Sequence, residues 1–264
     1  MAATERAGHA EELTQQFIEQ GYQLIVAVGG DGTIHQVANG YMRANGQARG
    51  VAMAVMAGGT GGDFIRSLHM EQLSVEEAWA SAGWRLVEQR PRLKKLSRSF
   101  AYWLQGILTH LPYYPLQPVT LSWSCPDATA ATSTVEEKVA LYFAAICNGQ
   151  YFGGGMRVAP EADLFDGQFQ LVRVRDINLY HAATRIIPGL KEGRVLEEAG
   201  PARATTARCT KFKAEADRLT ISKERATLIE LDGELVGTLP MEVAILPQAI
   251  TLQIPRPSSD AAKQ

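Results

Sequence analysis

Cysteine is scarce in this chain. Only Cys125, Cys147 and Cys209 occur among 264 residues, an odd number at wide spacing. No C-x-x-C or comparable ligand spacing is present, so neither a disulfide framework nor a zinc site has support. The expectation is reduced, mostly buried thiols in a cytoplasmic protein. An excess of one charge is also missing: 26 Lys and Arg face 28 Asp and Glu, a formal net charge of −2. Such a surface exerts no long-range pull on a phosphate backbone, which argues against nucleic acid as a partner. The first twenty residues are polar and charged, without the apolar stretch of a secretory signal. The longest apolar run, Val139 to Cys147, is far short of the roughly 20 residues that span a bilayer. Any contact with a membrane would therefore be peripheral.

What is present suits a folded protein. Hydrophobic residues make up 46% and charged residues 20%, enough apolar material to bury the core of one large domain or two ordinary ones. The N-terminal third alternates helix and strand. Residues 8–20 read as an amphipathic helix with Leu13, Phe17 and Ile18 on one face. Leu24 to Val28 is a continuous apolar run, as in a strand buried on both faces of a parallel sheet. A glycine turn and a helix over 33–43 follow. Val51 to Met56 repeats the pattern, with a second glycine turn and a short helix opening near Asp63. Strand, glycine turn and helix in succession predict a doubly wound α/β unit. Ser74-Val75-Glu76-Glu77 has the form of a capping box.

The pattern then changes. Residues 90–98 are basic, and 100–111 read as an aromatic and aliphatic helix. The stretch 126–134 reads as a small-residue loop. From Lys138 onward short strands are predicted at 138–147, 168–174, 218–222, 227–231, 241–246 and 250–254, interrupted by helices around 178–198. This spacing suggests an antiparallel β-sandwich. The domain expectation is thus an α/β domain over 1–89, a β-sandwich over 90–255 with the last strands able to return to the first domain, and a disordered tail over 256–264.

The turn Gly29-Gly30-Asp31-Gly32-Thr33 sits where a parallel strand ends and a helix begins, the edge at which α/β folds bind ligands. Its glycines let backbone approach a polyphosphate, and the N–H groups at the helix start favour anionic oxygens. Asp31 repels a bare phosphate, so it implies either a Mg²⁺ bridge or a structural contact within the turn. Thr33 either caps the helix or bonds a phosphate. Taken alone, the stretch is equally a plain tight turn. A second glycine–threonine turn at 58–63 changes the balance, because adjacent strands would bring both turns to one edge and form a nucleotide cleft.

The sequence VAVGGDGTIHQVANG, residues 26–40, closely resembles the nucleotide-binding motif of the diacylglycerol kinase catalytic domain family, which includes bacterial lipid kinases and sphingosine kinases. Thr4 with Gly8-His9-Ala10 resembles the family's T-x-x-x-G-H-A segment. Gly59 to Arg66 resembles its G-T-G-N-D-F-A-R turn, with Gly62 in place of the asparagine. Asn148-Gly149, Gly153-Gly154-Gly155 and Ala159-Pro160 through Asp166-Gly167 resemble a further block, and Asp232-Gly233-Glu234 resembles its D-G-E motif. The resemblance implies an α/β nucleotide domain with a β-sandwich domain, and a lipid kinase using ATP. It implies ATP contacts from Thr4, Gly29, Gly30, Asp31, Gly32, Thr33, Ile34, His35 and Thr60. It also implies a general base on the motif containing Asp232 and Glu234, and a structural Mg²⁺ held by the Asp166 side chain with backbone oxygens near Asp163 and Gln168. A carboxylate suits the base role, since it accepts the lipid hydroxyl's proton during in-line transfer, and oxygen ligands suit Mg²⁺.

The chain departs from the family pattern twice. The usual first strand and N-P-x-S-G loop do not precede residue 1. A D-x-G strand and a Phe-Asn-Gly strand are missing between Trp84 and Arg90. A sandwich short of two strands leaves unpaired edges unless they are replaced or covered by another chain, a homodimer being the simple case. Two alternatives to the lipid kinase follow: a catalytically impaired nucleotide-binding or regulatory homologue, and an NAD kinase sharing the G-G-D-G-T turn. Asp232-Gly233-Glu234 and the block over 148–166 argue against the second.

Overall fold

The computed structural model describes residues 1–58, 62–70, 117–126, 132–175, 189, 194, 204–216, 227–232 and 234–254. The chain divides into two compact units, Met1–Leu96 with Gln248–Gln264, and Ser97–Pro247. The capping box at 74–77, the basic stretch, the helix expected over 100–111, the strand expected over 218–222, the missing-strand region near 84–90 and the tail lie outside the described residues, as do most of the helices expected around 178–198.

In the first unit the elements are α1 (His9–Glu19), β1 (Leu24–Gly29), α2 (Asp31–Arg43), β2 (Ala52–Ala57) and α3 (Asp63–Ser67). β1 and β2 pair in parallel from Leu24↔Ala52 to Gly29↔Ala57. α1 and α2 supply Ala10, Ile18, Ile34, Val37 and Tyr41 to a core that also holds Ile25, Ala27, Met53 and Val55. Burying side chains of this kind contributes about 1.5–3 kcal/mol for each large one. On α1 the fully buried positions are Ala10, Thr14 and Ile18, one turn apart along a single face, whereas Phe17 is only partly buried against the core. Thr14 satisfies its hydroxyl by donating to the Ala10 carbonyl at 2.7 Å. The Tyr41 hydroxyl donates to the Val51 carbonyl at 2.6 Å, fixing the return from α2 into β2.

Burial on both faces holds for β2, where Met53, Ala54, Val55 and Met56 are all buried. β1 differs from the expectation. Ile25 and Ala27 point into the core, while Leu24 and Val26 are half-buried and Val28 is 36% exposed. Near the C-terminus the strand expected over 250–254 is reduced to one parallel bridge, Met53↔Leu252. There the Met53 N–H donates to the Thr251 carbonyl and the Gln253 N–H to the Met53 carbonyl, both at 2.8 Å.

The second unit contains β3 (Gln117–Pro126), β4 (Thr132–Cys147), β5 (Tyr151–Phe152), β6 (Met156–Arg157), β7 (Phe169–Arg175), β8 (Ala204–Cys209), β9 (Lys211–Ala216), β10 (Leu228–Leu231), β11 (Glu234–Thr238) and β12 (Met241–Ala244). A six-stranded sheet has the order β12-β9-β3-β4-β7-β8, antiparallel throughout. β5 with β6 and β10 with β11 form separate hairpins. β8 and β9 are separated only by Thr210, whose N–H donates to the Ser124 carbonyl at 3.0 Å. One bent segment thus passes from pairing with β7 to pairing with β3 and folds the sheet back over its core, as at the corner of a sandwich. Val119, Leu121, Trp123, Leu171, Cys209, Phe212 and Ala214 fill that core. β3 was not anticipated, and β4 begins six residues before the predicted Lys138, so the expected small-residue loop is shortened from both sides.

Candidate nucleotide site

The two glycine turns leave β1 and β2 at the same edge because the strands are parallel and in register to their last residues, Gly29↔Ala57. Gly58 continues the ladder, its N–H donating to the Gly29 carbonyl at 2.9 Å. A Cβ on Gly58 would lie 3.1 Å from both the Cα and the N of Gly29, so a side chain there would push the turns apart. The first turn feeds α2, whose cap residue Gly30 is extended and has no side-chain cap. The Gly30 carbonyl accepts from the N–H groups of Thr33 at 2.9 Å and Ile34 at 3.1 Å. Thr33 folds back over Gly29, with its hydroxyl oxygen 2.5 Å from where a Gly29 Cβ would stand.

Asp31 ties the turns together. Its carboxylate accepts the Asp63 N–H on Oδ2 and the Phe64 N–H on Oδ1, both at 3.2 Å. These are orphan donors at the start of α3. Of the readings open for this aspartate, the structural contact is the observed one, although it spans two turns rather than one. Asp63 in turn accepts from Arg66 Nη1 at 2.8 Å. The asparagine-to-glycine change at Gly62 also has a physical reason. Gly62 caps α3 in the left-handed region, φ 68 and ψ 29, which glycine enters freely and asparagine better than most residues.

The other expected nucleotide residues divide. Ile34 is 6% exposed and belongs to the core, so its side chain is a packing group and only its backbone is available to a ligand. His35 is half-buried on α2 and Thr4 is exposed ahead of α1. Thr60 lies outside the described residues.

In the second unit, Asp163 and Asp166 lie on the loop between β6 and β7. Asp163 Oδ1 accepts the Phe165 N–H at 2.9 Å and Asp166 Oδ1 accepts the Gln168 N–H at 2.7 Å. Asp166 Oδ2 pairs with the Arg208 guanidinium, and Arg208 faces the loop because it is registered opposite Gln170 across β7 and β8. This does not fit the Mg²⁺ expected here. A guanidinium against Oδ2 of the principal ligand residue repels a dication, so the Arg208 contact and a bound Mg²⁺ compete for the same carboxylate. Nothing in the sequence marked Arg208, which is 42 residues from Asp166.

Asp232 is exposed at the turn between β10 and β11. It adopts a positive φ of 50, a conformation that aspartate tolerates better than most residues. Glu234 opens β11. Of the thiols, Cys147 is pushed up to about 12 by burial and Cys209 to about 11, so both stay protonated and inert at neutral pH. Arg173 was also missed. It is 8% exposed, stands 4.2 Å over the Trp123 ring and pairs with Glu137, which also binds Arg175 at 2.6 Å.

Comparison with known proteins specifies the family in which a glycine-turn α/β unit is joined to an antiparallel β unit. Residues 1–89 match the diacylglycerol kinase catalytic domain, and residues 121–254 match the YegS C-terminal NAD kinase beta sandwich-like domain. The chain belongs to the diacylglycerol kinase family of lipid kinases, enzymes that phosphorylate an alcohol group. It is 25% identical over 285 residues to a diacylglycerol kinase of Staphylococcus carnosus, covering 96% of this chain and 84% of the relative. It is 23% identical to one of Bacillus subtilis, covering 98% and 86%. A crystal structure of a diacylglycerol kinase from Bacillus anthracis shares the fold, with a TM-score of 0.63 at 19% identity over 96% of this chain and 84% of that one.

Proposed function

We propose that the chain transfers the γ-phosphoryl group of ATP to a hydroxyl of diacylglycerol or a closely related lipid. The observation that carries this reading is the pair of glycine turns held side by side by Asp31 and by the Gly58–Gly29 contact. Backbone N–H groups at the two turns bind the polyphosphate, and the Thr33 hydroxyl is placed beside Gly29 to join them. Mg²⁺ enters with the nucleotide, where it screens the phosphate charge. Asp232 acts as the general base: its carboxylate takes the proton of the lipid hydroxyl as the oxygen attacks phosphorus and ADP leaves. Glu234 assists from the same motif. The protein works on the cytoplasmic side, peripherally, meeting its lipid at the membrane surface. Among the described residues, no helix is long and apolar enough to cross a membrane. Pairing of two copies belongs to the same proposal, and sedimentation checks it.

The nucleotide is tested by equilibrium binding of ATP and NAD to the full chain, followed by product analysis with a lipid panel. ATP binding with a phosphorylated lipid supports the proposal. ATP binding without product identifies a regulatory homologue, and phosphorylated NAD identifies an NAD kinase.

A further inference from the structure

The loop from Ala159 to Gly167 is braced by hydrogen bonds from neighbouring side chains. Gln150 Nε2 donates to the Ala162 carbonyl at 3.3 Å, and Arg157 Nη2 donates to the Pro160 carbonyl at 3.4 Å. Arg157 Nε also donates to Gln150 Oε1 at 3.1 Å, locking those two braces together. Gln170, 2% exposed, accepts the Glu161 N–H at 3.1 Å. Ala159 and Ala162 are sealed into the core beside Val158. Of the loop carboxylates, Asp163 accepts the Phe165 N–H and Glu161 accepts from Gln170 Nε2 at 3.4 Å, while Asp166, 17% exposed at its side chain, is paired with Arg208.

We propose that Arg208 replaces a divalent cation as the counter-charge of this loop, so that the order of the loop is independent of Mg²⁺. A guanidinium and a dication compete for the same carboxylate oxygen, since each is repelled by the other. The guanidinium wins the site in this chain because it is delivered by the β7–β8 register and needs no dehydration of a strongly hydrated ion. The claim concerns the loop alone and stands whether or not the chain phosphorylates a lipid.

Hydrogen exchange of the peptide spanning 159–170, in the intact chain with EDTA or with Mg²⁺, tests it. Wild-type protection should be the same in both. Arg208→Gln should exchange about two- to fivefold faster in EDTA, the scale of one partly exposed ion pair, and regain protection on addition of Mg²⁺. Arg208→Lys, which keeps the charge, should remain indifferent to Mg²⁺. The proposal is overturned by a wild-type loop that loses protection in EDTA and recovers it with Mg²⁺, or by an Arg208→Gln loop that ignores Mg²⁺. Arg208 is 56% exposed at its side chain, so its substitution removes no core packing, and a wild-type thermal midpoint in each variant checks that the fold is retained.

Discussion

Replacing Asp31 separates its role as a brace between turns from any direct role on nucleotide or metal. Asp31→Ala removes two charge-assisted hydrogen bonds to the Asp63 and Phe64 N–H groups. Loss of a helix N-cap costs about 0.5–2 kcal/mol, and ionised acceptors lie at the stronger end. A loss of about 1–2 kcal/mol is therefore expected in the absence of ligand. At about 2–4 °C per kcal/mol for a chain of this order of size, the thermal midpoint should fall by several degrees. Asp31→Asn presents one oxygen and one NH₂ group to two donors, so it keeps at most one bond and should fall between wild type and alanine. Because the second turn loses its anchor, the KM for ATP should rise in the same order, alanine above asparagine. Calorimetry of the apo protein and ATP titration supply the two readouts. An unchanged apo midpoint with abolished ATP binding in both variants would refute the brace and make Asp31 a direct ligand.

Two further outcomes follow from burial. Glu137→Ala leaves the Arg173 guanidinium, already pushed down by burial and held up by Glu137, without its carboxylate. A loss of about 1–3 kcal/mol is expected for a partly buried pair, read from the urea midpoint, and an unchanged midpoint contradicts it. Cys147 and Cys209 are raised by burial to about 12 and about 11, so between pH about 9 and those values the unfolded chain releases protons that the native chain retains. Their stabilisation is fully present below pH about 9 and is lost as pH rises through the folded values. Denaturant titrations across that range should show the decline, and Cys147→Ala should reduce its slope.

The nucleotide unit was legible because its signals are local. Leu24 to Val28 and Val51 to Ala57 are contiguous apolar runs, each followed directly by glycine, and Asp63 opens a helix directly after its turn. What escaped notice is long-range. Asp31 and Asp63 were each visible, but a contact between residues 32 apart depends on strand pairing. β3 carried a readable alternation, with Val119, Leu121 and Trp123 buried, flanked by the strand-breaking Pro118 and Pro126. β8 lacks an apolar–polar alternation, whereas β9 does alternate, with Phe212 and Ala214 buried, a period-2 signal that the expected strands omitted. Arg208 meets Asp166 only through the β7–β8 register, a pairing that the sequence alone does not display.

The central claim is phosphoryl transfer from ATP to a lipid hydroxyl. The direct measurement is transfer of label from γ-labelled ATP to diacylglycerol in vesicles by the full chain with Mg²⁺, beside Asp232→Ala. Labelled phosphatidic acid from the wild type and its loss in Asp232→Ala, with ATP binding retained, is the predicted result. Labelled lipid formed equally by both proteins would contradict the assignment of Asp232, and no labelled lipid from a wild type that binds ATP would contradict the kinase itself.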